Sequence, residues 1–303
     1  MLAFITSLRH PLNSSDYGLV EELLRQTLDS VTAQTGDDFE VFVVGNRAPA
    51  FALPRKTTFV PVDFPPPVAT SGPRFPLGPF VHDKGTKIGI GLAAARAVSP
   101  DHVMIFDADD FVHRGLAALS SSAPRAPGWV VDEGLVYSRS RQAWRPQHDF
   151  NRTCGTCHIV AWDAYDVPDD LPVTATQDEV ADAYGERLDR VLGAHRQGRE
   201  WFADHGFPLA PLPFRGAVYH VDTGENHSGK GLRGLAWPLS ARVARDFGIP
   251  RLASAPAAVG RALDPRELAY TARSVLGRVA RRAAGLTGRR AGAPAITTGT
   301  DKA

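Results

Sequence analysis

The sequence predicts an α/β domain built on a parallel sheet, and three observations predict it. A βαβ pattern occupies residues 2–62. A second helix-then-strand unit follows at 85–106. No stretch of about 18 apolar residues interrupts the chain, so no membrane-spanning helix is expected.

The elements follow in order. Leu2-Ala3-Phe4-Ile5-Thr6 is short, apolar and partly β-branched, which predicts a buried strand. After a polar loop, Tyr17 to Ala33 carries Val20, Leu23, Leu24, Thr27, Leu28 and Val31 at helical spacing, and Gly36 closes the segment. Phe39 to Val44 and Thr57 to Val62 predict two further strands. Strand, helix and strand at this spacing form a βαβ unit and imply a parallel sheet. Residues 63–81 are rich in Pro and Gly and read as a long loop. Gly85 to Val98 reads as an Ala-rich, closely packing helix, and Val103 to Phe106 as a strand. Trp129 to Arg139 and Pro208 to Val221 look extended, Asp178 to His195 helical, and 140–176 cannot be assigned.

The last fifty residues change character. Residues 251–263 read as an Ala/Pro-rich linker after a domain over 1–250. Asp264-Pro265-Arg266-Glu267 is a helix start, with Asp as cap and Pro at the first position. A basic amphipathic helix over 264–290 is expected, then a disordered tail over 291–303. Its arginines suit either an anionic membrane surface or a solvated helix face.

Composition excludes several classes. Of 303 residues, 43% are hydrophobic, which is ordinary for a soluble globular chain. A net charge of +1 gives no general pull toward nucleic acid or membrane, so no nucleic-acid partner is expected. Two cysteines argue against a disulfide framework. With a strand at Leu2–Thr6 and no charged segment before it, no signal peptide and a cytoplasmic location are expected.

The chemistry concentrates at Asp107-Ala108-Asp109-Asp110, directly after a buried strand. Past a strand end the alternation relaxes, so Asp107 and Asp109 can turn to one point and share a cation. Hard cations such as Mg²⁺ or Mn²⁺ take oxygen ligands and keep substrate phosphates in their shell. Asp is also common in turns and at helix starts, which is the plainer reading. Lys84 and Lys87 flank Gly85-Thr86 at an expected helix start, where a diphosphate would find cations and free N–H groups. His227, or His220, in a Gly-rich loop could complete the cation's shell, with Lys230 and Arg233 adding charge. Asp178, then Glu179, is the expected general base, although both also suit an ordinary helix N-terminus. Cys154-Gly155-Thr156-Cys157 is a lone C-x-x-C, better read as two small thiols lining a cleft than as a zinc site.

The order of lysine, Ala-rich helix, strand and D-x-D-D resembles the GT-A glycosyltransferases, close to the family 2 group, over residues 1–235. The resemblance implies a GT-A, Rossmann-like fold: a mixed sheet flanked by helices, here with a helical C-terminal extension. It implies a metal-dependent transfer from a nucleotide-diphospho-sugar to a saccharide or lipid-linked acceptor, as in surface polysaccharide or glycoconjugate synthesis. Asp107 and Asp109 would then bind the metal and donor, with His227 or His220 beside them. Asp63 would stand in for the acidic nucleobase contact, since Gly45-Asn46 ends the second strand. Asp178-Glu179 inverts the usual Glu-Asp order. Two rivals are a nucleotidyltransferase of the same fold, disfavoured because Leu8-Arg9-His10-Pro11 has no Gly, and a non-catalytic sugar-binding or membrane-associated assembly protein.

Overall fold

The computed structural model describes residues 1–276 apart from 73, 253, 254 and 275. The first half contains β1 (Leu2–Ser7), α1 (Tyr17–Val31), β2 (Phe39–Gly45), β3 (Thr57–Pro61), α2 (Leu77–Ala95) and β4 (His102–Ile105). Then come β5 (Phe111–Val112), α3 (Leu116–Ser122), β6 (Gly128–Val130), β7 (Gly134–Ser138), β8 (Ala143–Gln147) and β9 (His158–Ala161). The remainder holds α4 (Gln177–Tyr184), a π-helical turn (Leu188–Leu192), α5 (Gly198–Asp204), β10 (Ala210–Pro211), β11 (Ala217–Val221), β12 (Trp237–Pro238), α6 (Ala241–Phe247) and α7 (Ala255–Ala262).

Seven strands form a mixed sheet in the order β10-β6-β9-β4-β1-β2-β3. The expected parallel unit is present: β1 pairs in parallel with β2 and β4, and β2 with β3. β9 runs antiparallel to both of its neighbours, β4 and β6. Alternation along β1 gives each face its own core. Leu2 and Phe4 pack with Leu24, Leu28 and Val31 of α1, while Ala3 and Ile5 pack with Ile88, Ile90 and Leu92 of α2. The chain runs outward from β1 through β2 to β3, then returns to place β4 on the other side of β1. This reversal leaves a crevice beyond the carboxyl ends of β1 and β4, the usual place for a ligand in an open α/β sheet.

A second sheet, in the order β12-β8-β7-β11-β5, was not anticipated. Pro146 lies inside β8, and a proline argues against an internal strand. β12 pairs only with Ala143 and Trp144, so Pro146 has a ladder partner on one side alone, Leu135 of β7. That one-sided position is where a strand tolerates proline. α6 covers this sheet with Ala244 and Phe247.

Several boundaries differ from those expected. α2 begins at Leu77, eight residues early, because Pro79 sits in the first turn, where its missing N–H costs nothing. Lys84 and Lys87 therefore lie within the helix, not at its N-terminus. The segment expected to be one helix from Asp178 to His195 breaks at Gly185 (φ 52°) and continues as the π-turn. The stretch expected to be a linker carries α7, and Arg141 donates to the Ala262 carbonyl at 3.0 Å. Residues 265–274 are helical behind Asp264, whose side chain accepts from Arg266 N–H at 2.8 Å. Glu267 there accepts from Gly234 N–H at 2.5 Å and pairs with Arg233 at 3.3 Å. The rest of the expected basic helix, and the tail over 291–303, lie outside the described residues.

Close packing sets the height of α2 over the sheet. A Cβ at Gly91 would meet Ile5 Cγ2 at 2.4 Å. Gly91→Ala is expected to lower unfolding free energy by about 1–3 kcal/mol despite the better helix propensity of Ala. Urea denaturation checks this, and an unchanged midpoint would contradict it.

His158 on β9 is buried against Gly198 and the Phe202 ring, and burial pushes its imidazole down to about 3. Unfolded, the same group titrates near 6.5. Between those values the unfolded chain binds more protons, so stability is present above about pH 6.5 and is lost as pH falls. Thermal unfolding should show a lower Tm at pH 5 than at pH 7.5, with a smaller drop in His158→Phe.

Candidate active site

The acidic turn joins the two sheets: Asp107–Asp110 runs from the end of β4 straight into β5. Asp110 N–H donates to the Asp107 carbonyl at 3.1 Å and closes the turn. The Asp110 carboxylate is fully buried and hydrogen-bonded on both oxygens. One accepts from His220 N–H at 3.0 Å, the other from Thr156 Oγ1 at 2.6 Å and Cys154 Sγ at 2.9 Å. Thr156 Oγ1 in turn accepts from Asp107 N–H at 3.0 Å. The third aspartate thus anchors the turn to β11 and to the Cys-Gly-Thr-Cys segment, leaving the other two carboxylates free to point outward.

Asp107 and Asp109 do point into one hollow, a cavity of about 520 Å³ at the crevice between β1 and β4. Asp107 Oδ1 accepts from Lys84 Nζ at 2.5 Å. Gly155 presses against this pair so closely that a Cβ there would sit 2.8 Å from Asp107 Oδ2 and 3.1 Å from Lys84 Nζ. Asp109 Oδ2 accepts from Asn226 Nδ2 at 2.7 Å, and the same amide donates to the His220 carbonyl at 2.9 Å. Thr223 N–H donates to Asn226 Oδ1 at 3.1 Å, so the loop after β11 folds back onto the acidic turn.

Three carboxylates in one turn strain each other electrostatically. Burial alone would raise Asp107, but the Lys84 ammonium outweighs it and holds the carboxyl below its ordinary value. Asp109 has no such partner: burial, then the Asp107 charge, pushes it up to about 7. Burial and both neighbours push Asp110 well up. A divalent cation between Asp107 and Asp109 would relieve the second of these, and carboxylate oxygens are the donors that Mg²⁺ or Mn²⁺ prefers. Asp107, Asp110 and Cys154 bring potential ligand atoms within 4.8 Å of one another. Asp110 and the Cys154 thiol are bonded to each other, however, and burial, then Asp110, raises that thiol further. Of the three aspartates of the turn, Asp107 and Asp109 line the cavity and Asp110 does not, and carboxylate oxygens are the donor type that suits the hard ion.

The remaining expected residues divide. His227 and Lys230 line the same cavity as the acidic pair. The His227 ring stacks on Phe80, centroids 4.2 Å apart. His220 does not face the cavity. It is buried with Nδ1–H donating to the Asp109 carbonyl at 3.1 Å, and its ring lies between Phe111 and Tyr137. Lys87 is fully buried and pairs with Asp83 at 2.9 Å while donating to the Leu8 carbonyl at 3.0 Å. It holds β1's end against α2 and does not line the cavity. Arg233 is turned to Glu267.

Three acids expected at the site lie elsewhere. Asp63 is exposed beyond β3 and is not among the residues lining the cavity. Asp178 and Glu179 are exposed at the start of α4, also outside it. Glu179 completes a capping box with Thr176, accepting from its backbone N–H at 2.7 Å. The helix-start reading of this pair accounts for its position. Cys154 and Gly155 of the C-x-x-C segment line the cavity, as the sequence reading of thiols at a cleft expects for Cys154, while Arg9, Asn226, Asp189 and His195 line it without being expected as site residues. Of these four, Arg9 has a positional signal, since it lies immediately past β1.

No protein-family model matches this sequence, and no curated protein matches it. Among solved structures, the chain is similar to 2-C-methyl-D-erythritol 4-phosphate cytidylyltransferase from Thermus thermophilus. That pair shares 14% identity at a TM-score of 0.34 over 86% of this chain and 96% of the other. It is also similar to a protein described as a nucleotide-diphospho-sugar transferase from Desulfovibrio desulfuricans. There the identity is 9% and the TM-score 0.31, over 72% of this chain and 80% of that one. At these values no residue or activity transfers from either.

The Thr156 hydroxyl supports two partners in a buried site. Thr156→Val keeps the shape but leaves Asp107 N–H without an acceptor and Asp110 one donor short. A loss of about 1–3 kcal/mol is expected in chemical denaturation. Unchanged stability would mean that the turn is held by other contacts.

Proposed function

We propose that this chain is a metal-dependent glycosyltransferase of the GT-A type, acting on a nucleotide-diphospho-sugar. One observation supports it above all: Asp107 and Asp109 share a cavity with Arg9, Lys84, His227 and Lys230 at the crevice where the strand order reverses. A cavity with two outward carboxylates and several cations suits a cation–diphosphate pair better than either ion alone.

In this reading Asp107 and Asp109 hold Mn²⁺ or Mg²⁺, which supplies Lewis-acid stabilisation of the departing diphosphate. Lys84 bridges Asp107 and the phosphate side of the cavity. Arg9 is held against Glu225, donating to its carbonyl at 2.8 Å, which fixes a guanidinium beside the donor. Lys230 adds charge from the loop after β11. Fixed cations aimed at a charge that grows as the bond breaks are the main source of rate in such chemistry. A saccharide or lipid-linked hydroxyl is the proposed acceptor. No helix among the described residues is long and apolar enough to cross a membrane. A cytoplasmic location, with peripheral contact through residues 264–290, completes the proposal.

A thermal-shift series with UDP, GDP and dTDP tests it, each with Mn²⁺ and with chelator. One nucleotide should raise Tm by several degrees only when metal is present, since ligand binding to the folded state alone stabilises it. Asp109→Ala should abolish that shift and nearly abolish transfer. A metal-independent shift, or full turnover in Asp109→Ala, would exclude the assignment.

A further inference from the structure

We infer that Asp189, on the π-helical turn, is the general base that takes the proton from the acceptor hydroxyl. This rests on the glycosyl-transfer reading above and supplies the group that Asp178 and Glu179, outside the cavity, cannot.

Five carboxylates line the cavity: Asp83, Asp107, Asp109, Asp189 and Glu225. Four are committed. Asp83 pairs with Lys87 at 2.9 Å, Asp107 with Lys84 at 2.5 Å, and Asp109 accepts from Asn226 at 2.7 Å. Glu225 accepts from the backbone N–H groups of Ser15 and Asp16, each at 3.0 Å. Asp189 alone has no hydrogen-bond or ion-pair partner among the described residues, and it is exposed to the hollow. Its neighbour Arg190 lines the same cavity and is held by Glu186 at 3.5 Å and Gln197 at 3.3 Å rather than by Asp189.

The position of Asp189 is fixed although its side chain is free. Leu188 and Leu192, at the ends of the turn, are buried, and Leu188 packs against Gly85 of α2. Gly85 adjoins Lys84, so a single helix positions both the phosphate-side cation and the turn that bears the free carboxylate. π-Turns of this kind widen the helix locally and recur at functional sites. A base must be unpaired and reachable by the acceptor, and Asp189 meets both conditions where the other four do not.

The step balances without any further reagent. The acceptor oxygen forms its bond to the anomeric carbon while the bond from that carbon to the diphosphate oxygen breaks. The bonding pair leaves on the diphosphate, and the hydroxyl proton passes to the Asp189 carboxylate.

The test uses the full chain with Mn²⁺ and UDP-glucose, UDP-N-acetylglucosamine and GDP-mannose as donors. Calorimetry measures donor binding, and release of nucleoside diphosphate with water as acceptor measures turnover. Asp189→Asn should slow release by about 100-fold or more while donor Kd stays within about threefold. Added sodium formate, a small external base, should restore at least about a tenth of the lost rate, which a merely structural residue would not allow. Asp178→Asn and Glu179→Gln should turn over at the parent rate. Retained turnover in Asp189→Asn, or a loss that formate does not restore at unchanged Kd, overturns the assignment of the base alone. Failure of every donor to bind or turn over overturns the proposed function, and the base assignment with it.

Discussion

The buried carboxylate of Asp110 is the contact on which the rest of the site depends. It sits where β4 of one sheet becomes β5 of the other, and its two oxygens collect donors from β11 and from the Cys154–Thr156 segment. Unpaired, a carboxylate at zero exposure would cost several kcal/mol. Satisfied on both oxygens, it fixes three separate chain segments to one point. The directions of Asp107 and Asp109 follow from that fixing, because they flank Ala108 in a turn whose far end cannot move.

The same turn concentrates more negative charge than its surroundings neutralise. Lys84 answers Asp107, and Asn226 offers Asp109 only a neutral amide. The result is a carboxyl group near 7 facing a cavity that also holds Arg9 and Lys230. Under the proposed function, negative charge beside fixed positive charge suits a cation and a polyanion together.

α2 connects these facts. Its small residues let it lie close on β1 and against the π-turn, and its length sets Lys84 over the cavity and Lys87 in the interior. Two lysines three positions apart point to different surroundings. One is available to a ligand and the other ties Leu8 and Asp83 together. Spacing alone cannot tell them apart, because both suit a helix and the residue pattern places its start at Gly85, eight residues past Leu77.

Local pattern was enough for the strands β1 to β4, the α1 stripe and the acidic turn, since burial on a parallel sheet leaves continuous apolar runs and the turn follows one directly. From these alone the chain predicts an α/β fold with a carboxylate pair at a strand end. Tertiary structure decided everything that depends on which segments meet. It brought Cys154–Thr156 and Asn226 onto the turn from about 45 and 117 positions away, set His220 behind the site and His227 inside it, and left Asp178 and Glu179 in the first turn of a helix outside the cavity. It also placed Asp189 in the cavity, through a π-turn that has no periodicity of its own. The physical reason is that hydrogen-bond partners and electrostatic neighbours are chosen by proximity in space, which a one-dimensional pattern of residue types does not contain.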